Sequence, residues 1–136
     1  MQDFKKLKVW EKSFDFSFTI YELTKTFPKD EIYGITSQLR RCSLSISTNI
    51  AEGCGRSSHK ELIRFLNIAL GSVNETESLL LMSKKLKYVP ENYDSETLIS
   101  TLISIRKMLL NFVDVIKMKN SEPATRNRQP ERSEVS

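Results

Sequence analysis

Residues 38–70 read QLRRCSLSISTNIAEGCGRSSHKELIRFLNIAL, and the spacing of their apolar residues decides the fold class. Leu39, Cys42, Ile46 and Ile50 recur every three or four positions, one stripe of a helix spanning about Thr36 to Gly53 with Ile35 leading in. Gly53 and Gly55 end that helix, because glycine readily takes the left-handed conformation of a helix terminus. Another helix begins at once. Ser58 and Glu61 have the spacing of a capping box, and Leu62, Leu66, Ala69, Val73 and Leu80 continue an apolar stripe to about Tyr88, ahead of Pro90.

The same periodicity returns on both sides of this pair. Toward the amino terminus, a helix is expected from about Leu7 to Thr26, with Trp10, Phe14, Ser17 and Tyr21 on one face and Val9, Phe16, Ile20 and Leu23 on the adjoining one. Pro28 ends it, and the segment to Gly34, with Lys29, Asp30 and Glu31, reads as a short exposed connection with room for one helical turn. Toward the carboxyl terminus, Asp94 or Ser95 caps a fourth helix running to about Lys119, with Leu98, Leu102, Ile105, Leu109, Phe112 and Ile116 on its core line. Beyond Asn120, SEPATRNRQPERSEVS has almost nothing to bury and is expected to be a disordered mixed-charge tail. The expected organisation is one all-α domain over residues 1–119, an antiparallel up-down four-helix bundle, with a tail over 120–136.

The fourth helix has more apolar surface than a monomeric bundle requires. Ile99, Ile103, Leu110 and Val113 form a second line beside the core line, and only Ser100, Ser104, Lys107, Asn111 and Asp114 remain as a polar strip. A helix apolar over more than half its circumference is buried on two sides. In a chain of this size the second partner is expected to be another copy, so the pattern predicts a homo-oligomer.

Composition is consistent with this. The chain has 136 residues, 39% hydrophobic and 28% charged, and its four glycines and four prolines leave little material for the turns of an all-β fold. The two cysteines, Cys42 and Cys54, lie about 18 Å apart along one helix, too far for a disulfide. With free thiols, no charged-then-apolar leader and no membrane-length apolar run, the expected location is the cytoplasm. A net charge of +4 gives a mild bias toward acidic partners such as nucleic acid.

Little in the sequence points to catalysis. Di-iron bundles need inward glutamates and Glu-x-x-His pairs, and the single histidine, His59, has no second ligand at metal spacing, so neither metal nor cofactor is expected. Cys42 falls on the core stripe, which leaves Cys54, between two glycines, as the more reactive thiol. Gly53-Cys54-Gly55 lacks the third glycine and preceding strand of a dinucleotide fingerprint. Asn49 borders the core stripe, while Arg41, Ser45, Thr48 and Glu52 share one flank. Arg41 and Glu52 are too far apart to pair within the helix and need partners elsewhere, in a register-fixing polar network or in a ligand pocket. Basic residues gather at Lys5, Lys6 and Lys8, at Arg40 and Arg41, at Lys84, Lys85 and Lys87, and at Arg126, Arg128 and Arg132. Repeated around a closed oligomer, such patches would form a continuous positive surface, and phosphate binding grows steeply with the number of contacts.

Three stretches carry a resemblance to a known family: FKKLKVWEKSFDF (4–16), TFPKDEIYGITSQLRRCSLSISTNIAEGCGR (26–56) and KELIRFLNIALGSVNETE (60–77). NIAEG, then GR, then FL-x-IA-x-GS is a specific combination, and the match covers about the first 90 residues. The chain resembles the four-helix-bundle proteins encoded in intervening sequences of bacterial 23S ribosomal RNA genes. It departs from them at Ser47, where the family often has proline, and at Cys42, where it often has alanine. The resemblance implies a ring, typically of five subunits, and a ribosomal-protein label that reflects gene location. A related branch, the accessory variability protein of diversity-generating retroelements, binds nucleic acid and a reverse transcriptase through a basic ring.

The sequence therefore predicts a non-enzymatic homo-oligomer, a pentamer by resemblance, that binds RNA or DNA backbone. The alternative is a scaffold or regulatory accessory protein whose partner is another protein. No membrane partner is expected. Arg40, Arg41, Arg56, Lys84, Lys85 and Lys87 are the candidate nucleic-acid contacts, and Asn49, Glu52 and Gly53 are expected to form a structural polar motif.

Overall fold

Four helices make up the computed structural model, which describes residues 3–121. After a 3-10 turn at Phe4–Lys6 come α1 (Lys8–Thr24), α2 (Ile35–Cys54), α3 (His59–Lys85) and α4 (Ser95–Ser121), with a second 3-10 turn at Lys29–Glu31 between α1 and α2. No strand occurs among the described residues. The tail expected from residue 120 lies, from residue 122 onward, outside the described residues.

The helix boundaries follow from local chemistry. Ser58 Oγ accepts from the Glu61 N–H at 3.1 Å, giving α3 its N-cap. Asp94 caps α4 with both carboxylate oxygens, Oδ1 accepting from Glu96 N–H at 3.0 Å and Oδ2 from the Thr97 hydroxyl at 2.8 Å. At the start of α2 the N-cap is Gly34, and Glu31 from the preceding turn adds an acceptor, its Oε1 taking the Ile35 N–H at 3.3 Å while Tyr88 donates to Oε2 at 2.8 Å.

Two helix ends differ from expectation. No glycine has a positive φ among the described residues: α2 runs through Gly53 and closes on Gly55 in right-handed geometry. The left-handed closure instead ends α3, where Lys87 has φ 64°. Tyr88 N–H donates to Ser83 O at 2.9 Å and Lys87 N–H to Lys84 O at 3.0 Å, the bond pair of a Schellman motif, which stops α3 before Tyr88.

Cross-helix bonds set the order of neighbours. Arg40 Nε donates to Thr24 Oγ1 at 2.8 Å, joining the start of α2 to the end of α1. Ser72 bonds Ser45 at 2.9 Å and the Thr76 hydroxyl donates to Cys42 Sγ at 3.1 Å, joining α2 to α3. Arg106 donates to Asn74 Oδ1 at 3.1 and 3.2 Å and pairs with Glu77, joining α3 to α4. Consecutive helices are therefore antiparallel, up-down-up-down. The start of α1, the end of α2, the start of α3 and the end of α4 share one pole of the bundle.

Ile20, Leu23, Leu39, Ile46, Ile50, Leu66, Val73, Leu102, Ile105 and Leu109 are fully buried at the centre. In α1 the core face is Val9, Phe16, Ile20 and Leu23, whereas Phe14 and Tyr21 remain 46% and 39% exposed. In α4 the assignment shifts by one position: Val113 is buried and Phe112 is only partly covered. Ile103 and Leu110 of the expected second apolar line are exposed, joined by Val115 and Met118. Most buried hydroxyls bond back to the preceding turn, as Ser13 does to Val9 O at 2.8 Å and Thr76 to Ser72 O at 2.7 Å, whereas the Thr36 hydroxyl has no partner.

Candidate nucleic-acid interface

The polar residues singled out in α2 are used locally. Asn49 Nδ2 donates to Ser45 O and Ser45 Oγ, both at 2.8 Å, and Ser72 bonds the same hydroxyl, so Asn49 belongs to a polar seam between α2 and α3. Glu52 does not reach a distant partner. It pairs with Arg56 one turn on, at 2.9 Å, and both side chains are about half exposed. Gly53 is where α3 crosses close to α2: a Cβ there would stand 3.0 Å from Leu62 Cδ1 and from Phe65 Cβ. This backbone approach requires the absence of a side chain.

Neither thiol is poised for chemistry. Cys54 is the last residue of α2 and is 3% exposed, and burial pushes its pKa up to about 11. The expectation of a reactive Cys54 fails because the helix continues through Gly53 and turns the side chain into the core. Cys42 is also raised, by burial first, against the lowering effect of the Thr76 hydroxyl. Among the described residues no group of three or more His, Cys, Asp or Glu side chains is arranged to hold a metal ion. No helix among them is long and apolar enough to cross a membrane.

The six candidate basic residues do not form one patch. Arg40 is tied to α1, through Thr24 and a stack 4.9 Å over the Tyr21 ring. Arg41, one position on, is exposed. Arg56 follows the end of α2, held by Glu52 and lying 4.9 Å over the Phe65 ring. Lys84 and Lys85 end α3 at the opposite pole, and Lys87 follows them, roughly 40 Å from Arg56 at 1.5 Å of rise per residue.

The two poles differ in charge. Around Lys84, Lys85 and Lys87 lie Asp30, Glu31, Glu91, Asp94 and Glu96, and Lys25, Lys29, Arg40 and Arg41 stand at the same end with Glu22, so seven basic side chains face six acidic ones and the excess is small. Lys84 helps to hold the Asp94 carboxyl below its usual range, after the larger effect of the Thr97 hydrogen bond. At the other pole, Lys5, Lys6, Lys8, Arg56, Lys60, Lys117 and Lys119 gather as exposed side chains. Its acids are fewer, Asp3, Glu11, Glu52, Glu61 and Asp114, and two are already engaged: Glu52 by Arg56 and Glu61 by Arg64 at 3.1 Å. The antiparallel topology brings these lysines together from three segments that are far apart along the chain, so no local run of sequence marks the patch.

Beside this cationic pole is an open groove of about 520 Å³ between the start of α1 and the second half of α2. Phe4, Trp10 and Phe14 form one wall, with Trp10 edge-on to Phe4 at 5.1 Å and stacked on Phe14 at 4.7 Å. Ser47, Thr48, Ala51 and Gly55 line it from α2, and Glu52 and Arg56 close the cationic end. The volume falls within the usual range of small-molecule pockets, about 300–1,000 Å³.

No curated protein matches the chain. Among solved structures, a protein of unknown function from the S23 ribosomal protein family of Bacteroides thetaiotaomicron is similar, with a TM-score of 0.71 and 29% sequence identity, over 78% of this chain and 95% of that one. The sequence profile of the 23S rRNA-intervening sequence proteins matches residues 5–111, the whole of α1 to α3 and most of α4. The three motif-bearing stretches, the four helices and this match agree, and the chain belongs to the 23S rRNA-intervening sequence protein family.

Proposed function

We propose that this protein is a non-enzymatic, homo-oligomeric binding module that grips nucleic-acid backbone through the pole bearing Lys5, Lys6, Lys8, Lys60, Lys117 and Lys119. The observation that carries the reading is the charge asymmetry of the bundle: the excess of basic over acidic side chains is larger at that end than at the other. Ammonium groups contact phosphate without reading base identity, so the expected binding is sequence-tolerant and driven by counterion release. This revises the expected set of phosphate ligands. Arg40 and Arg56 serve packing first, and Lys84, Lys85 and Lys87 are offset by neighbouring carboxylates.

Oligomerisation is part of the proposal, and exposed Ile103, Leu110 and Val115 on α4 support it. Such a surface calls for a partner, and five copies are the number the family resemblance implies. A ring would align the cationic poles of its subunits and multiply the phosphate contacts. Cytoplasmic location goes with this reading.

A salt titration of mixed-sequence RNA binding tests it. The protein is expected to bind at about 50 mM salt and to lose affinity steeply as salt rises. Absence of binding at that salt, or binding indifferent to salt, refutes the reading. Sedimentation showing a monomer at micromolar concentration refutes its oligomeric half.

A further inference from the structure

We propose that the groove walled by Phe4, Trp10 and Phe14 is a base-stacking platform, which makes single-stranded RNA or DNA the substrate class of the cationic pole. This rests on the backbone-binding reading above and adds to it a discrimination between single strands and duplex.

Three observations converge on the groove. The first is aromatic surface on the outside of the bundle. Phe14 is 46% exposed and Trp10 only partly covered, although the core face of α1 is filled without them. Unstacked bases bind such rings through their π-faces, whatever the base. The second is space: Ser47, Thr48, Ala51 and Gly55 keep the facing wall low.

The third observation is the distribution of charge, which orients the strand. Lys5 and Lys6 follow Phe4 in the chain and do not line the groove, whereas Glu52 and Arg56, paired at 2.9 Å, both line it. The pair leaves the groove without net charge to hold phosphate, so the backbone follows the unpaired lysines outside it. Glu52 Oε2 already accepts from Arg56, but an ionised carboxylate has further acceptor capacity for the N–H groups on a base edge. Base inward and backbone outward matches an aromatic, charge-balanced groove beside exposed lysines. A duplex, its bases stacked on one another, reaches only the lysines. A peptide's apolar side chain would use the rings and leave the lysines unused.

Trp10 is the only tryptophan, so its fluorescence reports on the groove directly. The full-length chain is titrated with an adenosine oligomer of about 12 nucleotides, within the site sizes of single-strand binders, then with an abasic phosphodiester of equal length and a blunt duplex. The expected result is quenching of Trp10 by the adenosine oligomer alone. Phe14→Leu, which keeps apolar bulk and removes the π-face, is expected to weaken the single strand about tenfold and to leave duplex affinity unchanged; Phe14→Tyr restores binding.

Equal binding of single strand and duplex, with no quenching and no effect of Phe14→Leu, overturns the groove assignment and leaves the backbone reading intact. Failure of all three probes to bind removes both. A third overturning result is that Trp10 becomes accessible to acrylamide only when the assembly is diluted to monomers: the groove is then covered by a second copy of the chain.

Discussion

Replacing Gly53 with alanine is expected to destabilise the protein, although alanine is the better helix former. Two effects oppose each other. Within a helix, alanine is favoured over glycine by about 0.8–1.0 kcal/mol. Against this, the new methyl would stand 3.0 Å from Leu62 Cδ1, 3.0 Å from Phe65 Cβ and 3.3 Å from Leu62 O. The leucine methyl can swing aside, but Phe65 Cβ and the carbonyl move only if α3 moves, and overpacking of this kind costs about 1–3 kcal/mol. The net expectation is a loss of about 1 kcal/mol, a fall in Tm of about 3–5 °C for a chain of this length.

Gly71 is the internal control, a mid-helix glycine of α3 whose added Cβ would meet nothing within 4 Å. Gly71→Ala is therefore expected to stabilise by most of the propensity difference, about 0.5–1 kcal/mol. Urea unfolding followed by circular dichroism, at one fixed protomer concentration, measures both variants. Should Gly53→Ala stabilise as much as Gly71→Ala, the close α2–α3 crossing is wrong.

Other single side chains carry expectations of their own. Lys87 holds a left-handed φ of 64°, a conformation that costs an L-residue about 1–2 kcal/mol, so Lys87→Gly is expected to raise stability by about 1 kcal/mol in the same assay, with RNA affinity unchanged. Arg106→Met removes the bonds to Asn74 and the half-buried pairing with Glu77 and is expected to lower stability by about 1–2 kcal/mol. Burial raises the folded pKa of Cys54 from 9.0 to about 11, so its contribution is intact below pH 9 and is lost as pH rises toward 11. Alkaline melts should therefore lose stability faster in the wild type than in Cys54→Ala, and native protein should resist maleimide at pH 8. Rapid native labelling of Cys54 would contradict the burial.

Helix starts and stripes are legible in the sequence because their signals are local. Ser58 with Glu61, Asp94 ahead of α4, and the three-and-four spacing of Leu39, Cys42, Ile46 and Ile50 all act within a turn or two of themselves. What depends on neighbouring helices is harder to read. In α1 two adjacent apolar lines compete, and periodicity does not say that Phe16 and Ile20 face inward while Phe14 faces out. Gly53 has the look of a helix stop, and only the position of α3 identifies it as a crossing point. The Glu52–Arg56 pair does have a readable signal, the i to i+4 spacing, but glycines between the two residues suggest a broken helix and hide it. For the binding surface, runs of lysine along the chain are a poor guide. Lys84, Lys85 and Lys87 are close in sequence yet lie among acids, whereas Lys5, Lys60 and Lys119 meet only through the antiparallel topology.

On the proposed reading one pole of the bundle, and not the other, binds nucleic-acid backbone. Two triple charge reversals compare the poles directly: Lys5, Lys6 and Lys8 to Glu, and Lys84, Lys85 and Lys87 to Glu, each measured for RNA affinity against salt with the assembled mass unchanged. The first set is expected to weaken binding by orders of magnitude and to flatten the salt slope by about one for each phosphate no longer engaged, while the second set leaves both nearly as in the wild type. Equal weakening by both sets, or greater weakening by the second, would contradict it.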